Sequence, residues 1–465
     1  MKCDVAVLGG GPGGYSAAIR AAQLGAKVVC IEKEPELGGT CLRVGCIPTK
    51  AWVQTAYFLH QARDSFGKLG VAIGEPTLDF AAANEWKSEV VKQMTQGVAS
   101  LFKANGVEWV KGTGSFKDPN RFAVDGAEDV KFASAIVATG SFPIRPPIPG
   151  LESDLCVDST GLLARTEVPK RLVILGGGII GCEFASIFST FGSEVTIVEM
   201  LPRLIPQEDD DAAKELAKAF GKAGIALQLG KQCTKVEQSG DGLTVHFGDS
   251  ETVEADLMLL SVGRAPKVDG IGLETAGVSF DTRKGIATDG HRRTSVPHIY
   301  AVGDCAGHWQ LAHTAFREGE VAAENACGHD AVVDNRAVPR PIYTRPEIAA
   351  VGLTEAEARA QYGDAVAVGR FPWVANARAV MQNETTGWVK SIHETHYGEL
   401  LGLVMVGPHV TDMIEVGVVA IDAESTVETV ADGMAPHPTL AEAIKEAGLV
   451  ALGRAIHVPN RKPNG

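Results

Sequence analysis

The chain has 465 residues, 45% hydrophobic and 22% charged, so it can bury large cores in about three domains and carries no signature of disorder. With 43 basic and 57 acidic residues its formal net charge is −14, which argues against a nucleic-acid binder, since phosphate backbones need a basic face. No run approaches 18 apolar residues, so no membrane span is expected, and the nine scattered cysteines suit a reducing compartment. Met1–Leu8 runs straight into a strand, leaving no room for a signal peptide. The expected location is cytoplasmic, or matrix-like if a targeting segment has been removed.

In chain order, the apolar run Val5–Leu8 is followed by Gly9-Gly-Gly11-Pro-Gly-Gly14, a helical pattern over Tyr15–Leu24, and a strand over Lys27–Ile31 that ends at Glu32. The design returns at Arg171–Leu175, Gly176-Gly-Gly178-Ile-Ile-Gly181, a helix to Phe191, and Glu194–Val198 ending at Glu199. In both copies the acidic residue lies 23 positions after the first glycine. One GxGxxG is weak; two in the same strand–loop–helix–acid setting are strong. The first glycine makes the turn, the second lets backbone approach a pyrophosphate, and the third allows close helix–strand packing. The helix N-terminus then holds the phosphates. Glu32 and Glu199 would accept from ribose hydroxyls, and a carboxylate at Glu199 repels a 2′-phosphate, favouring NAD over NADP. Two such sites imply two cofactors, most economically FAD and a nicotinamide dinucleotide.

Between the copies, Ala135–Val137 with Ala138-Thr139-Gly140-Ser141 reads as a strand-end turn closing the first nucleotide domain, and Pro143–Pro149 as a hinge. Leu257–Val262 with Gly263-Arg264 makes the corresponding exit in the second. Ile299–Val302 finishes at Gly303-Asp304, where a carboxylate would meet the ribityl chain of a flavin. From Pro341 onward the pattern changes, with strands at Gly387–Ile392 and Leu400–Val406 and helices at Met413–Asp422 and Leu440–Glu446. This part reads as an α+β assembly domain.

Cys41 and Cys46 follow Glu32 closely. A disulfide needs Cα atoms about 4.4–6.8 Å apart, whereas five residues of regular helix rise about 7.5 Å. Gly45 supplies the freedom to bend the segment, and a helix can resume near Pro48. A reactive local disulfide, half of a metal site and two unrelated thiols are the alternatives. No second Cys/His pair with ligand spacing lies nearby, so no metal is expected.

The segment Gly39-Thr40-Cys41-Leu-Arg43-Val-Gly45-Cys46-Ile-Pro48-Thr49-Lys50 resembles the redox segment of the flavin-dependent pyridine nucleotide–disulfide oxidoreductases. Both glycine loops, Ala138-Thr139-Gly140 and Gly303-Asp304 match in order, so the likeness covers nearly the whole chain. It implies an α/β fold with two Rossmann-like dinucleotide-binding domains plus a C-terminal α+β dimerisation domain, in an obligate homodimer. The implied divisions are an FAD-binding domain over 1–149, an NAD-binding domain over 150–270, a central domain over 271–340 completing the FAD site, and an interface domain over 341–465. It implies FAD contacts from Thr40, Lys50, Gly114, Thr139, Gly140, Asp304 and Ala312, and a nicotinamide side built by Gly176, Gly178, Gly181, Glu199 and Gly263. Lys50 would pair with Glu183 near the flavin.

His437-Pro-Thr-Leu-Ala-Glu442 resembles the C-terminal signature of the thiol-reactive members, where the histidine and glutamate reach the other subunit's disulfide. The pair would be a base and its orienting carboxylate. The resemblance is strongest to the branch that oxidises dihydrolipoyl groups with NAD⁺ through Cys41 and Cys46. Its partners are lipoyl-bearing acyltransferases or H-proteins of 2-oxo acid dehydrogenase or glycine cleavage complexes. An NAD(P)H-dependent reductase of another small disulfide or of a metal ion is the alternative. Arg43 and Thr49 stand where many of that branch have Asn and Ser.

Overall fold

Short strands, fully buried at the sheet centres, build two parallel five-stranded sheets of one design in this computed structural model, which describes residues 1–460. The first sheet is ordered Ile299–Ala301, Ser134–Val137, Val5–Leu8, Val28–Glu32 and Glu108–Lys111. The second is ordered Ala226–Leu229, Glu194–Glu199, Arg171–Leu175, Leu257–Leu260 and Cys156–Val157. In each, the glycine loop leaves the carboxyl end of the central strand, where strand order reverses and open α/β sheets bind ligands. The first sheet is completed only when the chain returns from the second to add Ile299–Ala301 beside Ser134–Val137.

The helices after the loops are Pro12–Gln23 and Ile179–Phe191. The first starts earlier than the apolar pattern indicates, because Pro12 fits the first helical position, where no amide is needed. The cysteine segment also differs from the expected bent loop. It is two helices, Gly39–Val44 and Cys46–Asp64, broken at Gly45 (φ −143°, ψ −110°). Pro48 sits in the first turn of the second helix, where its missing N–H leaves no bond unmade.

The C-terminal part is an antiparallel sheet ordered Arg340–Ile342, Glu347–Gly352, Leu400–Gly407, Trp388–Glu394 and Val366–Pro372. The expected helix at Met413–Asp422 is split into Val410–Met413 and Glu415–Asp422. That at Leu440–Glu446 runs instead over Glu442–Ala451, with the Thr439 amide donating to the Glu442 side chain just ahead of it (2.9 Å).

One core joins the three parts around the cysteine-bearing helix. Trp52 of that helix is fully buried, edge-on to Phe188 of the second nucleotide helix at 5.8 Å, within a cluster that reaches Trp388 and Ile392 of the C-terminal sheet. Such an aromatic pair adds about 0.5–1.5 kcal/mol beyond its buried area. Among the described residues, no helix is long and apolar enough to cross a membrane.

Candidate active site

A single cavity of about 1280 Å³ runs from the first glycine loop, past Cys41, Cys46 and Lys50, to the second. Among the helices that begin at its wall, those starting at Pro12, Cys46, Ile179 and Ala312 have no side chain capping their first turn. Their free amides and dipoles make the wall attractive to phosphate. At each loop the acid at the end of the second strand is already anchored. Gly10 N–H donates to Glu32 Oε2 (2.7 Å) and Glu34 N–H to its Oε1 (2.9 Å). Gly177 N–H donates to Glu199 Oε2 (2.6 Å) and Leu201 N–H to its Oε1 (2.7 Å). A carboxylate has about four acceptor positions, so both acids retain capacity for ribose hydroxyls.

Gly9, Gly11, Gly176 and Gly178 line the cavity, whereas Gly14 and Gly181 lie behind it. A Cβ at Gly14 would sit 1.8 Å from Gly9 O, and one at Gly181 2.1 Å from Gly176 O. These two glycines let the helix pack on its own loop. No atom lies within 4 Å of a Cβ built on Gly178, the open approach that a pyrophosphate requires. The donor set and the glycine cradles fit two dinucleotides.

The thiols sit between the loops. Cys46 is the first residue of its helix and is accessible from the cavity, while Cys41 is half-buried; both are free thiols. Cys41 hydrogen-bonds to Cys46, and this contact, with the Lys50 charge one turn away, lowers the Cys46 thiol to about 7 although burial opposes the shift. The helix N-terminus acts in the same direction. The same contact and burial raise the Cys41 thiol. Lys50 Nζ donates to Glu183 Oε2 (2.7 Å), and Glu183 Oε1 accepts Tyr343 N–H (3.0 Å). Burial pushes the Lys50 ammonium down, but Glu183 and Cys46 outweigh it and hold its pKa above the ordinary lysine value. The two cysteines thus differ in protonation, which a thiol relay uses.

On the opposite wall, Ser141 Oγ donates to Asp304 Oδ2 (2.5 Å) and Arg264 Nε donates to Ser141 Oγ (2.7 Å). Gly114, Thr139, Gly140, Gly263 and Ala312 also line the cavity, as does Thr40 beside Cys41. Cavity-lining residues that the sequence reading passed over include Ser141, Lys267, Glu208, Arg340 and Tyr343. Ser141 had a signal, being the last residue of the strand-end turn. Tyr343 had none, because the C-terminal sheet delivers it from 160 positions beyond Glu183.

His437 and Glu442 do not line this cavity in the single chain. His437 Nδ1 contacts Glu442 Oε1 at 2.9 Å, and the imidazole is 73% exposed. Burial opposes ionisation of Glu442, but the Thr439 amide and His437 hold its carboxyl below the usual range. With Nδ1 occupied, Nε2 is the nitrogen presented to solvent.

Known proteins share this arrangement. Residues 3–319 match the pyridine nucleotide-disulphide oxidoreductase family and residues 338–448 its dimerisation domain, which supports a homodimer. The chain is 41% identical over 459 residues to a dihydrolipoyl dehydrogenase of Bacillus subtilis, covering 97% of this chain and 99% of that one. It is 39% identical over 467 residues to the mitochondrial dihydrolipoyl dehydrogenase of Schizosaccharomyces pombe, covering 98% and 91%. The HOCl-induced flavoprotein disulfide reductase RclA from Escherichia coli superposes with a TM-score of 0.87 at 28% identity, covering 96% of this chain and 99% of that one. With two cofactor-type loops flanking a dithiol and this likeness along its length, the chain belongs to the pyridine nucleotide-disulphide oxidoreductase family.

Proposed function

We propose that this chain oxidises dihydrolipoyl groups with NAD⁺ by way of FAD and a Cys41–Cys46 disulfide, giving lipoyl groups, NADH and a proton. The observation that carries the reading is the uneven thiol pair: one thiol lowered, one raised, in a cavity lined by two dinucleotide loops. His437 of the partner subunit takes a proton from one substrate thiol at Nε2. Its Nδ1–H is held by the glutamate five residues on, which fixes the tautomer and stabilises the imidazolium.

The substrate thiolate attacks Cys41 Sγ, a substrate-S–Cys41 bond forms, and the Cys41–Cys46 bond breaks. Cys46 leaves as a thiolate, and its lowered pKa beside Lys50 makes it the better leaving group. The second substrate thiol then displaces Cys41, which leaves with a proton, and the lipoyl disulfide is released. FAD, when bound, supplies the two-electron transfer between this dithiol and NAD⁺. Lys50 holds positive charge beside Cys46 throughout, anchored by Glu183. Glu32 and the first loop bind the flavin's adenosine half, and Glu199 and the second loop bind NAD⁺. A homodimer is required, because the single chain does not bring His437 to its own cysteines. The substrate's chemistry makes lipoyl-bearing acyltransferases or H-proteins the partners.

Anaerobic titration of the purified protein with dihydrolipoamide tests this. A long-wavelength absorbance band on reduction, then NADH on adding NAD⁺, is the expected result. A colourless preparation, or turnover only with other disulfides and NAD(P)H, would overturn it.

A further inference from the structure

Lys390 is 2% exposed on the strand Trp388–Glu394, next to the edge of the C-terminal sheet, yet its ammonium reaches out of that sheet. Nζ donates to Asp209 Oδ1 (2.7 Å) and Asp211 Oδ2 (2.8 Å) at the start of the helix Asp210–Lys222, and to Glu355 Oε2 (3.2 Å). Beside it, Arg340 Nε donates to both oxygens of Glu208 (3.1 Å each), and both of these residues line the cofactor cavity. Asp209 Oδ2 accepts Glu355 N–H (3.2 Å), closing the network. Burying this many charges carries a desolvation cost that well-packed apolar side chains would avoid. None of these groups belongs to the thiol relay.

What the network holds is the segment that follows Glu199. Ile205 N–H donates to Gly177 O (2.8 Å), and Leu204 packs so closely that its Cδ2 would lie 2.8 Å from a Cβ on Gly177. Ile205 adopts a left-handed φ of +39°, unfavourable for a β-branched residue unless its surroundings impose it. The first nucleotide loop has the same cover: Gly38 N–H donates to Gly10 O (2.8 Å), and Leu37 Cδ2 lies 2.6 Å from a Cβ on Gly10. There the covering segment is anchored by continuing into the cysteine helix. In the second it is anchored by Glu208 and Asp209, through Arg340 and Lys390, to the C-terminal sheet.

We infer that Lys390, with Arg340, is a positioning residue for the NAD(H) loop, clamping the 200–209 cover through a buried ion network so that nucleotide affinity depends on the C-terminal domain. This rests on the second loop being the NAD(H) site proposed above. Removing the Lys390 charge leaves three carboxylates facing one another, which loosens the cover where it meets Gly177.

The test uses the flavin-loaded dimer, with NADH affinity read directly by fluorescence titration and KM for NAD⁺ and dihydrolipoamide read in turnover. K390M should weaken NADH binding by roughly 5- to 150-fold, the span of couplings of this kind. It should raise KM for NAD⁺ in parallel and leave flavin content and KM for dihydrolipoamide unchanged; K390R should recover most of the loss. R340M provides the same readout if K390M does not fold. Unchanged NADH affinity in whichever of the two folds overturns the inference, as does an equal rise in both KM values. A wild-type protein that binds NADH without oxidising dihydrolipoamide would refute the proposed substrate while leaving this binding test intact.

Discussion

The two nucleotide loops have one backbone design and two kinds of support. Each anchors its acid on the amide after the first glycine, at 2.7 Å for Glu32 and 2.6 Å for Glu199. Each is covered by a leucine and an amide from the segment beyond that acid. Their surroundings differ. A Cβ on Gly39 would lie 2.6 Å from Gly11 Cα, so the cysteine segment rests directly on the first loop. Helix Ala312–Ala326 presses on it from the other side, and a Cβ on Gly319 would lie 2.4 Å from Gly13 O. Nothing comes within 4 Å of the equivalent position at Gly178. The loop chemistry selects a dinucleotide, and the packing around it decides whether that dinucleotide is enclosed and kept or open and exchanged.

The sharpest division between the loops comes from removing the relay that connects them. Cys46→Ser should reduce dihydrolipoamide turnover by at least about a thousandfold, since a residue acting within a concerted unit takes most of the rate with it. Flavin content and NADH binding should persist; turnover near wild type would place the chemistry elsewhere. Next in size is a contrast between two glycines. Gly39→Ala adds a methyl group against backbone at a φ of +57°, so the protein should purify with little flavin, read from its visible absorbance. Gly178→Ala meets no protein atom and should keep its flavin while losing NAD⁺ affinity by about tenfold, a cost of about 1.4 kcal/mol. Equal flavin loss in both variants would break the comparison. A smaller effect is expected at Glu199→Ala, where the ratio of kcat/KM for NAD⁺ over NADP⁺ should fall while flavin stays bound. An unchanged ratio would mean that another group reads the ribose.

The parts of this design visible in the sequence are those written within about 35 residues. Gly9–Glu32 and Gly176–Glu199 each carry turn, helix and acid in one unit, so local pattern was enough. Helix ends were less legible: the Cys46 helix begins two residues before Pro48 because proline is tolerated throughout the first turn. Long-range contacts left no local trace. Tyr343 meets Glu183 and Lys390 meets Asp209 only because distant parts of the chain share a core, and in a sequence Lys390 reads as an alternating polar residue on a strand. The His437–Glu442 contact was legible because its members lie five positions apart. Within the single chain the pair does not line the thiol cavity, and its approach to a thiol belongs to the proposed dimer.

The finest comparison is between the cysteines themselves, whose mutual hydrogen bond drives their thiols in opposite directions. Cys46 is lowered to about 7, first by its hydrogen bond from Cys41 and then, against burial, by the Lys50 charge. In the reduced protein the Cys46 thiol should therefore be about half ionised near pH 7, with the thiolate predominating above that pH and lost below it. Cys41, held up by the same hydrogen bond and by burial, should stay protonated across that range. A pH titration of thiolate absorbance, or of the rate of alkylation at each cysteine, reads the two separately. Lys50→Met removes an attraction that favours the charged sulfur, so the Cys46 midpoint should rise, by about 1–3 units if Lys50 acts as a near neighbour. Glu183→Gln should move it the other way, because that carboxylate raises the Cys46 thiol. Midpoints that do not move in opposite directions would show that the Cys41 hydrogen bond and the helix N-terminus alone hold the thiolate, leaving Lys50 to act only on the flavin side.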